Sequence, residues 1–418
     1  MAVTRNKYDH YFDFNPYKLE WGQSVSFPKS NQLSEYGNRI YNRYPARSIF
    51  LVPRLILAQH INKGLNILDP FMGSGTTAVE TIISGNKPYG TEMDPFARLI
   101  ADVSTTTFSK QELIQLTQFR DEILNRWRDF EPAEVPTLPG IERWFKDDDL
   151  TQLLKLKSCI LSLTPVHFKP FMLISYADCI KPVSLMERQS LKPYISKKYA
   201  KETKTIDDSF NYSFDAHFAA ISDMSDLCLN NNGINWVGND ATSFEGIDEQ
   251  IDLAITSPPY INALDYTRCI KVESAMCGLI PATGTQTLHK MQVGHEARRH
   301  QTISESVRDV FAEYYDRLAL LDKDRANTCL AYFNDIYKNL TRVHLSLKHG
   351  GEYHMIIGDN IIRDIPIPTH QIIAKLAQEV GFEWFGYYHY SIKDHRTSIP
   401  RSNSADKITT EYVIMLRK

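Results

Sequence analysis

Two short segments carry the side chains with the most chemistry to offer. In the first, the apolar run Ile251-Asp252-Leu253-Ala254-Ile255 leads directly into Thr256-Ser257-Pro258-Pro259-Tyr260. Consecutive prolines at the end of a strand hold the backbone extended and remove two N–H donors. The Ser257 side-chain oxygen and the Pro258 carbonyl are left facing outward as acceptors. Such a pair suits an exocyclic amino group on a heteroaromatic ring, which carries two protons and a lone pair delocalised into the ring. Accepting both protons turns the nitrogen toward an electrophile and raises its electron density, and the reaction then becomes one in-line transfer governed by positioning. Neither a metal nor a covalent intermediate is needed. By itself S-P-P-Y is an ordinary turn, so its meaning depends on a second segment.

That segment is Ile67-Leu68-Asp69-Pro70-Phe71-Met72-Gly73-Ser74-Gly75-Thr76-Thr77, a small-residue turn between a strand and a helix. A turn of this kind lets a ligand approach the backbone at the carboxyl end of the strands, where open α/β sheets bind ligands. No Lys follows Gly75, so the loop is not a phosphate loop. About twenty residues beyond Gly73, Glu92 ends the next strand, where a carboxylate can accept both hydroxyls of a ribose. An adenosine cofactor fits this arrangement.

D-P-F-x-G-S-G-T-T resembles motif I of the amino-methyltransferases of DNA, and S-P-P-Y resembles their motif IV. The resemblance extends to Asn262-Ala263-Leu264-Asp265-Tyr266-Thr267-Arg268 and to Tyr44-Pro45-Ala46-Arg47, and it spans roughly residues 44–102 and 236–418. It implies S-adenosylmethionine as the cofactor, bound around Asp69, Pro70, Phe71, Gly73, Ser74, Gly75, Thr76, Glu92, Met93, Asp240 and Thr256. It also implies catalysis by Ser257, Pro258, Pro259 and Tyr260, with Tyr260 offering a flat face for a base rotated out of the duplex. Most N4-cytosine members have Ser where this chain has Ser257, and most N6-adenine members have Asp or Asn. Ser257 therefore points to cytosine N4. A ring-carbon enzyme would need a Pro-Cys nucleophile, and the sequence contains no such pair.

The elements that must position these groups follow from the apolar texture. Leu65-Asp69, a helix over Thr76 to Ser84 stopped by Gly85, and Pro88-Glu92 form a β-α-β unit. Asn235-Gly238, Ile251-Thr256, Glu352-Gly358 after a Gly350-Gly351 turn, and Glu411-Arg417 read as further strands. Arg325 to Leu347 and Gln371 to Glu379 read as helices. The expected fold is α/β: a Rossmann-like S-adenosylmethionine-dependent methyltransferase sheet, mostly parallel, with helices on both faces and a mainly helical insertion. Residues 1–48 read as an irregular arm, 49–108 and 227–418 as the catalytic domain, and 109–226 as a helical insertion suited to DNA recognition or clamping. Residues 280–305 form a candidate second recognition loop.

The chain has 418 residues and is 43% hydrophobic, enough for a large core. Its six cysteines are scattered, with no C-x-x-C pair and no zinc-finger spacing, and read as reduced structural thiols. A formal net charge of -3 restricts nucleic-acid affinity to local patches. One candidate is Lys181 to Thr205, where Lys181, Arg188, Lys192, Lys197, Lys198, Lys201 and Lys204 interleave with Tyr194 and Tyr199. Another surrounds Arg298-Arg299. Asn262, Asp265, Arg268, Lys197, Lys198, Arg298 and Arg299 are accordingly the candidate substrate contacts. The expected partners are double-stranded DNA and a cognate restriction endonuclease on a separate chain. The expected location is the prokaryotic cytoplasm, since neither a signal-peptide pattern nor a membrane-spanning run is evident. Adenine N6 methylation, RNA guanine-N2 methylation and an inactive binding module with the same fold are the alternatives.

Overall fold

The computed structural model describes all residues except 1–13, 28–34, 46, 147, 189, 199–200, 229–232, 262–264, 281–283, 299 and 393–407. Asn262, Ala263, Leu264, Arg299, Ala46 and Tyr199 lie outside the described residues. The strands are β1 (Gln23–Val25), β2 (Asn66–Asp69), β3 (Lys87–Thr91), β4 (Asn235–Gly238), β5 (Ile251–Thr256), β6 (Leu347–Gly358), β7 (Asn360–Ile362), β8 (Ile365–Ile367), β9 (Glu383–Ser391) and β10 (Thr410–Arg417). The helices are α1 (Leu51–Leu57), α2 (Thr76–Ile83), α3 (Pro95–Thr105), α4 (Lys110–Arg126), α5 (Asp149–Leu163), α6 (Lys169–Val183), α7 (Ile206–Leu227), α8 (Tyr266–Cys277), α9 (Thr285–Met291), α10 (Glu305–Leu321), α11 (Lys323–Ser346) and α12 (Thr369–Val380). No helix among the described residues is long and apolar enough to cross a membrane.

Eight strands form one sheet in the order β4-β3-β2-β5-β6-β10-β9-β1, and β7 and β8 form a separate antiparallel hairpin. β4, β3, β2, β5 and β6 run parallel, and β10 is antiparallel to both of its neighbours. Residues on the central strands alternate between two cores. Leu68, Ala254, Met355, Ile357, Ile414 and Leu416 face the α10–α12 side. Ile67, Leu253, Ile255, Ile356, Val413 and Met415 face the α1 side. Burial on both faces is why these strands read as continuous apolar runs.

The β-α-β unit and the predicted strands β4, β5 and β10 stand where expected. Three features differ from the sequence reading. Strand β9, E-W-F-G-Y-Y-H-Y-S, was not anticipated. The arm is not wholly irregular: Gln23–Val25 pairs with Tyr388–Tyr390 as a parallel edge strand, and Val25 and Phe27 enter the core. Gly350-Gly351 lies within β6, where the register slips from Ile251↔Leu347 to Leu253↔Glu352, so the glycines form a strand irregularity and the strand begins directly after α11.

Helix α4 begins with a Ser109–Glu112 capping box and α7 with a Thr205 cap. The helices α4 to α7 bury one core together with Tyr41, Tyr44, Phe96, Ile100 and residues of α8. The inserted helices are therefore welded onto α3 and α8, which border the ligand cleft described next.

Candidate active site

The cleft is assembled at the carboxyl ends of β2, β3, β4 and β5. Asp69 ends β2, and its Oδ1 accepts the Phe71 N–H at 3.0 Å, which bends the chain into the glycine loop. The Met72 N–H donates to the Thr91 carbonyl and the Gly75 N–H to the Met72 carbonyl, closing the loop against β3. Gly73 and Gly75 have φ of +53° and +84°. At Gly75 a Cβ would lie 2.9 Å from the Ala101 Cα, so this glycine lets α2 pack against α3. At Gly73 the nearest side-chain atom to such a Cβ would be 3.8 Å away, so its demand is conformational and it borders open space.

Glu92 follows β3. Its Oε2 accepts the Gly73 N–H and its Oε1 the Asp94 N–H, each at 2.8 Å. Each oxygen retains a second lone pair directed elsewhere. Burial pushes the Glu92 carboxyl up to about 7, against the lowering effect of its backbone donors, and pushes Asp69 up to about 6. Asp94 caps α3 by accepting from the Phe96 and Ala97 N–H groups, with Pro95 in the first turn.

These residues and the catalytic segment line one cleft enclosing about 1000 Å³ of open space, of the size that takes a cofactor. Asp69, Pro70, Phe71, Gly73, Ser74, Thr76, Glu92, Met93 and Asp240 line it together with Ser257 and Pro259. Gly75 instead holds the loop against α3, and Thr256 is fully buried behind it, donating to Asp69. Asp240 accepts from the Thr242 N–H at 2.8 Å and from its hydroxyl at 2.7 Å, which fixes the carboxylate at the rim. The Thr76 hydroxyl, in the first turn of α2, is buried with no hydrogen-bond partner among the described residues.

Some lining residues were not anticipated. Tyr44 and Arg47 belong to the Y-P-A-R segment, and Arg47 donates to the Ser74 Oγ at 2.9 Å while its other nitrogens reach the Asn38 and Ile40 carbonyls. Tyr266 and Thr267 start α8. Met291, Gln292 and Val293 close the cleft from the 280–305 segment, and no local motif marks them. Pro258 is buried, and Tyr260 is half-buried with its phenol donating to Glu411 at 2.5 Å.

The candidate DNA contacts separate into two groups. Arg298 is committed internally: Nε and Nη2 bind both oxygens of the buried Asp335 at 2.6 and 2.7 Å, and Nη1 reaches the Met291 carbonyl. The expected base-reaching role gives way to a staple holding the cleft's third wall. Lys201 donates to the carbonyls of Lys181, Ser184 and Met186, Lys181 to that of Ser190, and Arg188 to that of Glu202, so these three cations fold their own loop. Lys192, Lys197, Lys198 and Lys204 remain at the exposed surface. Asp265 caps α8 by accepting the Arg268 N–H at 2.9 Å, and Arg268 is exposed.

A parallel sheet continued by an antiparallel β10, with a glycine loop after its first central strand, defines an α/β methyltransferase fold. Residues 10–102 match the family model described as DNA methylase, of the N6/N4 type. Over its whole length the chain is 21% identical to the type II methyltransferase M.MvaI of Kocuria varians, covering 99% of that protein. It is 24% identical to the type II methyltransferase M.AvaI of Nostoc sp. over 86% of this chain and 81% of that one. A solved S-adenosylmethionine-dependent methyltransferase of Methanosarcina mazei superposes with a TM-score of 0.32 and 10% identity, covering 87% of this chain and 96% of that one. The chain belongs to the N4/N6 amino-methyltransferase family of DNA methylases.

Proposed function

We propose that the protein transfers a methyl group from S-adenosylmethionine to the exocyclic N4 of cytosine in duplex DNA, as the protective half of a restriction-modification pair whose endonuclease is a separate chain. The observation that carries this reading is that Ser257 and Glu92 line the same cleft, so an acceptor for an amino group and an acceptor for a ribose share one space.

The residues present fit the cofactor. Glu92 offers two oxygens to ribose hydroxyls, Asp240 an acceptor for an adenine amino group, and the Thr76 hydroxyl a donor for a carboxylate. Asp69, Glu92, Asp94 and Asp240 make the lining acidic, which suits a ligand with a sulfonium and an ammonium. When bound, the cofactor supplies an electrophilic methyl group. The Ser257 oxygen and the Pro258 carbonyl hold the two amino protons, and the nitrogen gives up one of them as the new N–C bond forms. Asn262, Asp265 and Arg268 belong to the segment leading from the catalytic turn into α8, on the side where an extruded base would enter. The helices 109–226 and the exposed Lys197 and Lys198 are assigned to holding the duplex.

Incubation of the protein with duplex DNA and methyl-labelled cofactor, followed by nucleoside analysis, tests the reading. The label should appear in N4-methylcytosine. Label confined to N6-methyladenine would keep the chemistry and overturn the choice of base. Ser257→Ala should reduce turnover by about 100-fold or more while sparing cofactor affinity, because its hydrogen bond is made to the reacting group. Loss of cofactor affinity in that variant would give Ser257 a different role.

A further inference from the structure

Beyond the catalytic turn, the hydrogen bonds continue into the far side of the sheet. The Tyr260 hydroxyl donates to Glu411 Oε1 at 2.5 Å, and the Tyr390 hydroxyl donates to Glu411 Oε2 at 2.5 Å. Glu411 is on β10, directly across from Tyr390 on β9 and from Gly358 on β6. Gly358 makes the arrangement possible, since a Cβ there would stand 3.3 Å from Tyr260 Cε2 and 2.4 Å from Ile408 Cγ2. At the other end, the Ser257 hydroxyl is a hydrogen-bond partner of the Tyr260 phenol.

We propose that Glu411 is a positioning residue that sets the direction of this hydrogen-bond chain, so that the Ser257 oxygen meets the target amino group as an acceptor only. An ionised carboxylate has acceptors and no donor, so Tyr260 must donate to it. The Tyr260 hydroxyl has only one proton, and its oxygen can then only accept, which draws the Ser257 proton toward Tyr260. The Ser257 lone pairs are thereby turned to the cleft. A serine hydroxyl free to rotate would spend part of its time presenting its proton to the amino group, where it would oppose methylation. The second bond, from Tyr390, fixes the carboxylate in place and satisfies its other oxygen. A chain of bonds to a charged end strengthens each member.

The inference rests on the methyltransferase reading above, and the experiment separates the two. Tyr260→Phe keeps the ring and removes the hydroxyl, and Glu411→Gln keeps the shape and introduces a donor. Single-turnover methylation of duplex DNA, equilibrium affinity for cofactor and DNA, and thermal unfolding are measured for the wild type, each variant and the double variant. Each single variant should methylate about tenfold or more slowly, as the loss of a bond to a charged group predicts when that bond acts on the reacting centre. Affinity for cofactor and DNA should stay within about twofold. The double variant should be no slower than the slower single variant, because both break one chain. A merely structural Glu411 would lower the unfolding temperature and weaken binding without this kinetic non-additivity, which would overturn the proposal. Wild-type rates in either single variant, or losses that multiply in the double, would overturn it too. A wild-type protein that fails to methylate DNA would overturn both this inference and the reading on which it rests.

Discussion

The Thr256 hydroxyl donates to Asp69 Oδ1 at 2.5 Å, joining the residue before the catalytic serine to the residue that opens the cofactor loop. Both side chains are buried, at 0% and 3% exposure, so neither can replace the other with water. Thr256→Val keeps the shape and removes the donor, leaving a buried carboxyl one bond short. It should cost about 1–3 kcal/mol of stability. Thr256→Ser restores the donor and should recover most of the loss. Urea unfolding of the three proteins checks this, and equal midpoints would show that the bond does not couple the two motifs.

A second consequence concerns Glu92, whose folded-state carboxyl titrates near 7 because burial opposes its charge. A raised folded value means that the stability contributed by the protonated form is present below the ordinary value of 4.5 and is lost as pH rises through about 7. Cofactor binding has the opposite sign, since ribose hydroxyls donate to the ionised carboxylate. Affinity should therefore rise as pH increases through about 7 and then level off, with a proton released on binding at lower pH. Calorimetry in buffers of different ionisation enthalpy measures both. Glu92→Gln sets an amide donor against the Gly73 or Asp94 N–H and should weaken binding at every pH. A pH-independent affinity would remove Glu92 from the ribose.

The two glycines of the loop should fail differently. Gly75→Ala places a Cβ 2.9 Å from the Ala101 Cα in a φ of +84°, so it strains the packing of α2 on α3 and should lower the unfolding temperature. Gly73→Val meets less crowding, but its branched side chain occupies the cleft margin at a φ of +53° and should abolish cofactor binding. Measuring both properties on both variants tests the division. A Gly73→Val protein that binds cofactor normally would place the ligand elsewhere in the cleft.

How much of this was legible in the sequence depends on how local each signal is. Asp69, Gly73, Gly75, Glu92 and Ser257 sit at strand ends in runs whose periodicity is plain, and the structure brings Asp69, Gly73, Glu92 and Ser257 to one cleft. Strand β9 escaped because Tyr387, His389 and Ser391 alternate with Gly386, Tyr388 and Tyr390, so polar and aromatic residues blur the apolar pattern. Glu411 lay in a predicted strand, yet only the register of three strands sets it between Tyr260 and Tyr390. Met291 to Val293 reach the cleft through the anchoring of Arg298 on Asp335, a contact 37 residues apart that no spacing rule announces.

That anchor leads to the last expectation, which contrasts two kinds of basic residue. Arg298 forms a two-pronged pair with a fully buried Asp335 and also holds the Met291 carbonyl, so Arg298→Ala leaves a buried carboxylate unpaired. Removing one partner of such a pair costs about 3–5 kcal/mol. The variant should unfold earlier and, by loosening Met291 to Val293, bind cofactor more weakly. Lys197 and Lys198 are exposed in the loop before α7, and the double change to Ala should leave unfolding untouched. If they contact phosphates, DNA affinity should fall uniformly across sequences. The slope of log affinity against log salt should become shallower by about 1 to 2, since each phosphate contact contributes about one unit. Fluorescence anisotropy across a salt series, on specific and non-specific duplexes, measures that slope. An unchanged slope would remove the two lysines from the DNA surface, and unchanged stability in Arg298→Ala would show that Asp335 finds another partner.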